Sequence, residues 1–130
     1  MSIKRREARE QLVALLFEAE FRADEDHREI FAISTEEREI PLDDYIKRAF
    51  YSIFENMEEI DGMIGVHSHG WKTHRLSRLS RSILRLAVNE MLYEEDIPYS
   101  VSINEAVELA KRYGTDQSPA FVNAVLAKLV

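Results

Sequence analysis

The start of the chain carries four basic side chains that could bind an anion. They are Lys4, Arg5, Arg6 and Arg9. Such groups hold phosphate oxygens whatever the nucleotide sequence, so the cluster indicates a contact to a nucleic-acid backbone. Arg5 and Arg9 lie one helical turn apart and repel each other slightly unless an anion lies between them. A solvated basic face is the simpler interpretation of the spacing alone.

Two aromatic residues near the C-terminus could add a stacking surface. Tyr113 ends one apolar periodic segment, and Phe121 lies at the edge of the apolar stripe of the next segment. Proteins read single-stranded RNA partly by stacking its splayed bases on aromatic rings. The spacing alone is more typical of core positions for both residues, so both interpretations stay open.

Nothing in the sequence indicates catalysis or a cofactor. The chain has no cysteine and no glycine-rich phosphate loop, and nucleophilic catalysis has little support. His67, His69 and His74 suggest a metal site, but residues at i and i+2 do not share a helix face, and no acidic or thiol ligand lies nearby in sequence. We therefore expect no enzymatic activity, no metal and no cofactor, and we interpret the histidines as part of a polar loop.

The net charge of −7 is unevenly distributed along the chain. Residues 62–89 contain no Asp or Glu, whereas acidic residues concentrate between positions 18 and 61. The basic residues of that stretch are Lys72, Arg75, Arg78, Arg81 and Arg85. Such a charge map can serve two partners, one anionic and one basic.

The length and composition predict one domain that spans residues 1–130. A chain of 130 residues can bury a sizeable core without disulfides, and it contains no cysteine to form them. No apolar run approaches transmembrane length, and the N-terminus is basic and polar rather than signal-like. The expectation is a cytoplasmic protein without membrane contact.

Apolar residues recur at helical spacing along most of the chain, which predicts an all-α fold of about seven helices in two packed sub-bundles. The predicted helices cover residues 3–21, 24–33, 42–55, 56–64, 77–94, 102–113 and 118–129. Residues 34–41 are predicted to be a mobile charged connection. Residues 65–73 are predicted to form turns, with Trp71 as a core anchor.

The C-terminal hairpin carries the clearest helix signals. Ser102 and Glu105 have the spacing of a capping box, in which each side chain bonds the backbone amide of the other residue. Gly114 is predicted to end that helix, because a glycine is free to take a positive φ. Ser118 and Pro119 are predicted to be the N-cap and the first residue of the next helix.

Five sequence words resemble the NusB family of transcription antitermination factors. They are RREARE at residues 5–10, ILRLAVNE at 83–90, DIP at 96–98, INEAVELAK at 103–111 and FVN at 121–123. The words occur in the family's order and cover nearly the whole chain. The resemblance implies two small helix bundles packed across each other. It also implies binding to boxA RNA of nascent transcripts, notably from ribosomal RNA operons, within the RNA polymerase antitermination complex.

The resemblance further implies a protein partner and a set of RNA contacts. The partner is NusE, a ribosomal small-subunit protein, and family members occur as monomers and dimers, which leaves a homodimer open. The implied RNA contacts are Lys4, Arg5, Arg6, Arg9, Tyr113, Gln117, Ser118 and Phe121. The chain departs from the family pattern at Glu7, Ser80, Ala120 and Ala124, positions that bear on RNA and NusE binding.

Two other functions remain as alternatives. One is a helical protein-interaction domain without RNA binding. The other is an RNA-modifying enzyme, because NusB-like domains also occur fused to RNA methyltransferases. The absence of a nucleotide-binding pattern up to Val130 argues against the enzyme.

Overall fold

The described part of the chain is entirely helical in its regular structure. The computed structural model describes residues 3–22, 24–40, 43–68 and 77–130. Within these ranges the helices are α1 (Arg5–Glu20), α2 (His27–Glu37), α3 (Asp44–Glu55), α4 (Met57–His67), α5 (Arg78–Tyr93), α6 (Tyr99–Tyr113) and α7 (Ser118–Ala127). The prediction of an all-α fold is confirmed. No helix in these ranges is long and apolar enough to cross a membrane.

The helices form the two predicted sub-bundles, α1 to α3 and α4 to α7. Helix α5 joins them, because it packs against α1 and α3 on one side and against α4, α6 and α7 on the other. Ten of its residues are buried, among them Ile83, Leu84, Leu86 and Val88. Ten buried residues among sixteen place this helix at the centre of the domain. The side chains that α5 presents to α1 and α6 therefore connect the two sub-bundles.

Helix α2 differs from its predicted bounds. It begins after Asp26, whose side chain accepts the backbone N–H of Arg28 at 2.9 Å, and it continues through Glu37. The first part of the predicted charged connection is therefore helical. Ser34 is buried in this helix, and the Thr35 hydroxyl donates back to the carbonyl of Phe31 at 2.7 Å. These polar residues are accommodated within the helix and do not end it.

Helix α4 is longer than predicted, because it runs through Gly65 to His67. The prediction of turns is wrong for this part. A Cβ atom at Gly65 would meet nothing within 4 Å, so the glycine marks no close approach. Trp71, His69 and His74 lie outside the described residues. Among the residues that are described, no group of His, Cys, Asp or Glu has a metal-binding arrangement.

The capping box at the start of α6 is a wrong prediction. The helix begins at Tyr99 after Pro98, so Ser102 and Glu105 lie inside it. Both side chains bond to other helices: the Ser102 hydroxyl donates to Glu90 at 2.8 Å, and Glu105 accepts from Arg6. Tertiary partners therefore replace the local capping bonds that the spacing suggested.

The turn between α6 and α7 also differs in detail. Gly114 ends α6 as predicted, with φ −96° and ψ −166°, an extended conformation that does not use the freedom of glycine for positive φ. A Cβ atom there would lie 2.7 Å from the Cβ of Ser118 and 2.8 Å from the carbonyl oxygen of Ala110, so close approach requires the glycine. Helix α7 has Gln117 as its N-cap, one residue before the predicted Ser118. The Ser118 hydroxyl instead accepts the backbone N–H of Thr115 at 3.0 Å.

Candidate nucleic-acid interface

Helices α1 and α6 meet along a line of ion pairs. Arg6 donates from Nε to Oε1 of Glu105 at 3.1 Å and from Nη2 to Oε2 at 3.0 Å. One turn further along α1, Glu10 accepts from Arg112 and from the hydroxyl of Tyr113. We call these contacts, Arg6–Glu105 and Glu10–Arg112, the α1–α6 seam. Hydrogen bonding to Glu105 is the main cause that raises the pKa of Arg6, whose side chain is 60% exposed.

Arg9 lies inside the protein, one turn beyond Arg5 on α1. Its guanidinium donates from Nε and Nη2 to the carboxylate of Glu90 on α5, at 2.8 and 3.1 Å. Neither partner is accessible, because the Arg9 side chain is 5% exposed and that of Glu90 is 0% exposed. Burial opposes the charge of Arg9, but the hydrogen bonds and the charge of Glu90 outweigh this effect and raise its pKa. The guanidinium is thus already satisfied by protein.

The Glu90 carboxylate is the centre of a buried polar group. The Ser102 hydroxyl donates to its Oε1 at 2.8 Å, and the Tyr45 hydroxyl donates to its Oε2. Burial, followed by the charge of Glu90, raises the pKa of Tyr45, so this phenol stays protonated and acts as a donor. We call Arg9, Tyr45, Glu90 and Ser102 the Glu90 network. It joins α1, α3, α5 and α6, and this gives Arg9 a structural role where the sequence suggested an exposed phosphate contact.

Lys4 and Arg5 are the open members of the basic cluster. Both side chains are exposed at the N-terminal end of α1. The Arg5 guanidinium lies 4.1 Å from the centre of the Tyr45 ring, a cation–π contact that orients it and leaves its charge available. In the part of the chain that the structure describes, neither residue forms an ion pair. These two cations are therefore accessible to an anionic ligand.

The C-terminal corner divides its predicted RNA contacts between surface and core. Tyr113 is 49% exposed, and Gln117 is exposed beside it on the loop before α7. Ser118 is buried and uses its hydroxyl within the loop. Phe121 is 2% exposed and is one of the largest fully enclosed core side chains. The Tyr113 ring is therefore accessible, whereas the Phe121 ring has the core position that the sequence left open as one of two interpretations.

The basic stretch on α5 is neutralised within the chain. Arg85 forms two bonds of 2.8 Å to Asp61, and both Arg81 and Arg85 reach Glu20, at 3.0 and 2.9 Å. Arg78 lies over the ring of Phe21, 4.4 Å from its centre. Since the acids come from α1 and α4, the three described arginines of this run do not form an open basic surface. This leaves the start of α1 as the clearer anion-binding candidate.

Sequence reasoning missed the carboxylates that organise this surface. Glu90 lies three residues after Ala87 and seven after Ile83, on the apolar stripe of α5. A single carboxylate at such a position predicts a buried basic partner, because an isolated charge is too costly to bury. Arg9 carries a similar signal, since it precedes Val13 and Leu16 on a buried stripe of α1. No comparable signal in the sequence pairs Glu105 with Arg6.

Comparison with known proteins agrees with this fold. A family model described as the NusB family matches residues 6–130. The chain belongs to the NusB family. The resemblance carried by the five sequence words is confirmed, and several NusB relatives match over more than nine-tenths of their length.

Three of these NusB relatives are informative. The transcription antitermination protein NusB of Agathobacter rectalis is 46% identical over 127 residues, which cover 95% of this chain and 97% of that protein. A structure of T. maritima NusB has a TM-score of 0.82 and 40% identity, covering 99% of this chain and 92% of the other. A crystal structure of the antitermination factors NusB and NusE in complex with dsRNA contains a chain with a TM-score of 0.81 and 29% identity, covering 96% of this chain and 94% of the other.

Proposed function

We propose that this protein is a cytoplasmic transcription antitermination factor. In this proposal it binds single-stranded boxA-type RNA in nascent transcripts, notably those of ribosomal RNA operons, together with NusE. Membership of the NusB family supports the class of function. The observation that carries the RNA assignment is the pair of exposed cations, Lys4 and Arg5, at one end of α1. No catalytic role is part of the proposal.

The proposed RNA surface has separate positions for the phosphate backbone and for a base of the RNA. Lys4 and Arg5 offer charge to phosphates, and Arg6 adds a guanidinium that is exposed but paired with Glu105. Tyr113, the last residue of α6, is 49% exposed at the far end of the α1–α6 seam. Phosphate contacts position a strand, whereas stacking engages its bases, so the arrangement suits a flexible single strand.

A basic protein partner such as NusE would need a surface beyond the two open cations, and one candidate adjoins Tyr113. Phe17 on α1 and Phe21, which caps its C-terminal end, are both exposed, with ring centres 5.3 Å apart in an edge-to-face arrangement. Next to Phe17, a groove of about 430 Å³ has an apolar wall of Val13, Ala14 and Leu79. Its other lining residues include Glu10, Arg38 and Tyr113, so it borders the proposed stacking surface. Exposed aromatic side chains beside a groove are typical of protein interfaces. The complex of NusB with NusE and dsRNA makes NusE the first partner to test.

Replacing Lys4 or Arg5 by alanine should weaken binding to all single-stranded RNAs to a similar extent. Each phosphate contact that is lost should reduce the dependence of log affinity on log salt by about 0.7. Affinity should be measured at several salt concentrations for boxA-like RNA and for a scrambled sequence. Lys128→Ala is the matched control, because it removes one exposed positive charge at the end of α7, where Lys128 contacts the backbone of α4 at His67. Unchanged RNA affinity in Lys4→Ala and Arg5→Ala would favour a protein-interaction domain without RNA binding.

Replacing Tyr113 by alanine should reduce RNA affinity by about 1–3 kcal/mol if a base stacks on its ring. The effect should depend little on salt, because stacking releases no counterions. Tyr113→Phe is the control: it keeps the ring and removes only the hydroxyl, which donates to Glu10 at 3.3 Å. Equal losses in the two variants would assign the effect to the hydroxyl and would contradict stacking.

A further inference from the structure

The guanidinium of Arg6 is occupied by a carboxylate in the geometry that a phosphate would use. Glu105 accepts from Nε and from Nη2 through its two different oxygens, at 3.1 and 3.0 Å. Arginine binds carboxylates and phosphates through the same pair of parallel hydrogen bonds. An RNA phosphate and Glu105 therefore compete for one edge of Arg6. Lys4 and Arg5, which directly precede Arg6, have no competing carboxylate among the described residues.

The surroundings of Glu105 make its displacement feasible. The Glu105 side chain is 17% exposed, and its Oε1 also lies 3.5 Å from Nη1 of Arg9. If a phosphate binds Arg6 in place of Glu105, the Glu105 carboxylate still lies beside Arg9 and does not become an unpaired charge. Arg9 itself remains held by Glu90. The exposed arginine can thus exchange partners while the buried pair beneath it stays intact.

We propose that Glu105 is a built-in competitor that sets the RNA affinity of this surface by holding Arg6 until a phosphate displaces it. The inference rests on the proposed RNA-binding function and specifies how that site is regulated. Lys4 and Arg5 act as permanent phosphate contacts, and Arg6 is a conditional one. A phosphate placed at Arg6 must replace existing bonds, so the net gain from this contact is small in the native protein.

Replacing Glu105 by glutamine should tighten RNA binding about two- to fivefold, which corresponds to the strength of an exposed ion pair. Glutamine keeps the shape of the side chain and removes its charge. Arg6→Ala should also cost more affinity in the Glu105→Gln protein than in the wild type, because Arg6 then binds phosphate without competition. The measurement is the affinity for boxA-like RNA of the full chain at fixed salt, for both single variants and the double variant.

Glu108→Gln is the matched control. Glu108 lies one turn further along α6, and it acts on Arg6 only as a nearby charge, while its carboxylate bonds Lys111 at 3.3 Å. The Glu108→Gln variant therefore removes one negative charge from the same helix, as Glu105→Gln does, but it leaves the Arg6–Glu105 pair intact. At physiological salt its effect on RNA affinity should be smaller than that of Glu105→Gln, because separated exposed charges are screened. Equal gains in the two variants would overturn the inference and leave a general charge effect.

A second variant and the wild-type behaviour separate the remaining outcomes. Glu105→Asp keeps the charge but shortens the reach to Arg6, so it should give a gain in RNA affinity between those of wild type and Glu105→Gln. If RNA binding depends on Arg5 while Glu105→Gln and Glu105→Asp leave it unchanged, this inference fails and the proposed function stands. If the wild type binds no RNA at any salt concentration, the proposed function fails and the inference fails with it.

Discussion

Replacing Arg9 by alanine should lower the free energy of unfolding by about 3–5 kcal/mol, because it leaves a buried carboxylate without its charged partner. The Glu90 side chain is fully buried and would keep only two neutral donors, the hydroxyls of Tyr45 and Ser102. Four helices meet at this carboxylate, so the loss should appear as a lower midpoint of the whole unfolding transition. Urea unfolding followed by far-ultraviolet circular dichroism measures it.

Arg6→Ala is the control for this prediction. Arg6 is three residues away on the same helix and also bonds a glutamate through two nitrogens, but its side chain is 60% exposed. An exposed pair contributes about 0–1 kcal/mol. Equal unfolding midpoints for Arg6→Ala and Arg9→Ala would contradict the structural role of Arg9. A loss of RNA binding in a fully stable Arg9→Ala protein would return Arg9 to the set of phosphate contacts.

The helices were predictable because their signals are local. The stripe of Leu12, Leu15 and Leu16 predicts α1 over residues 3–21, and the structure has Arg5–Glu20. The apolar face of Leu79, Ile83 and Ala87 predicts α5 over 77–94, and the structure has Arg78–Tyr93. In both cases every residue that decides the helix lies within a few turns of it. The two sub-bundles then follow, because each apolar stripe must be covered by another helix.

The contacts that shape the candidate site were not predictable from such local patterns. Ser102 and Glu105 have the spacing of a capping box, but their actual partners, Glu90 and Arg6, come from other helices. Nothing within α6 distinguishes a side chain that bonds its own backbone from one that reaches a neighbouring helix. Gly114 is similar: the sequence shows that a glycine is present, but only the structure shows that Ser118 and Ala110 leave no room for a side chain.

The basic cluster at the start of the chain also shows that sequence patterns do not reveal contacts between helices. Its four members have similar side chains, and their spacing suggested a common role. The structure separates them into two open cations, one exposed pair and one buried pair, and this order depends on which carboxylates α5 and α6 bring to α1. Charge in the sequence therefore located the surface but could not tell which charges are free to bind.

Replacing Phe121 by alanine should destabilise the protein by about 3–5 kcal/mol, which is typical of removing a large aromatic side chain from a core. Phe121 is 2% exposed on α7, among fully buried neighbours in sequence such as Val122 and Val125. Thermal and urea unfolding should both show the change. RNA affinity, measured well below the melting temperature, should change much less than in Tyr113→Ala.

Alanine variants of the two aromatic residues should thus have opposite effects on stability and on RNA affinity. Tyr113→Ala should leave the melting temperature nearly unchanged and weaken RNA binding, because its ring is half exposed and contributes little to the core. Phe121→Ala should lower the melting temperature, because its ring is enclosed. A Phe121→Ala protein of normal stability that has lost about 1–3 kcal/mol of RNA affinity would reverse this assignment. Such a result would require the start of α7 to open when RNA binds, so that the ring of Phe121 could reach a base.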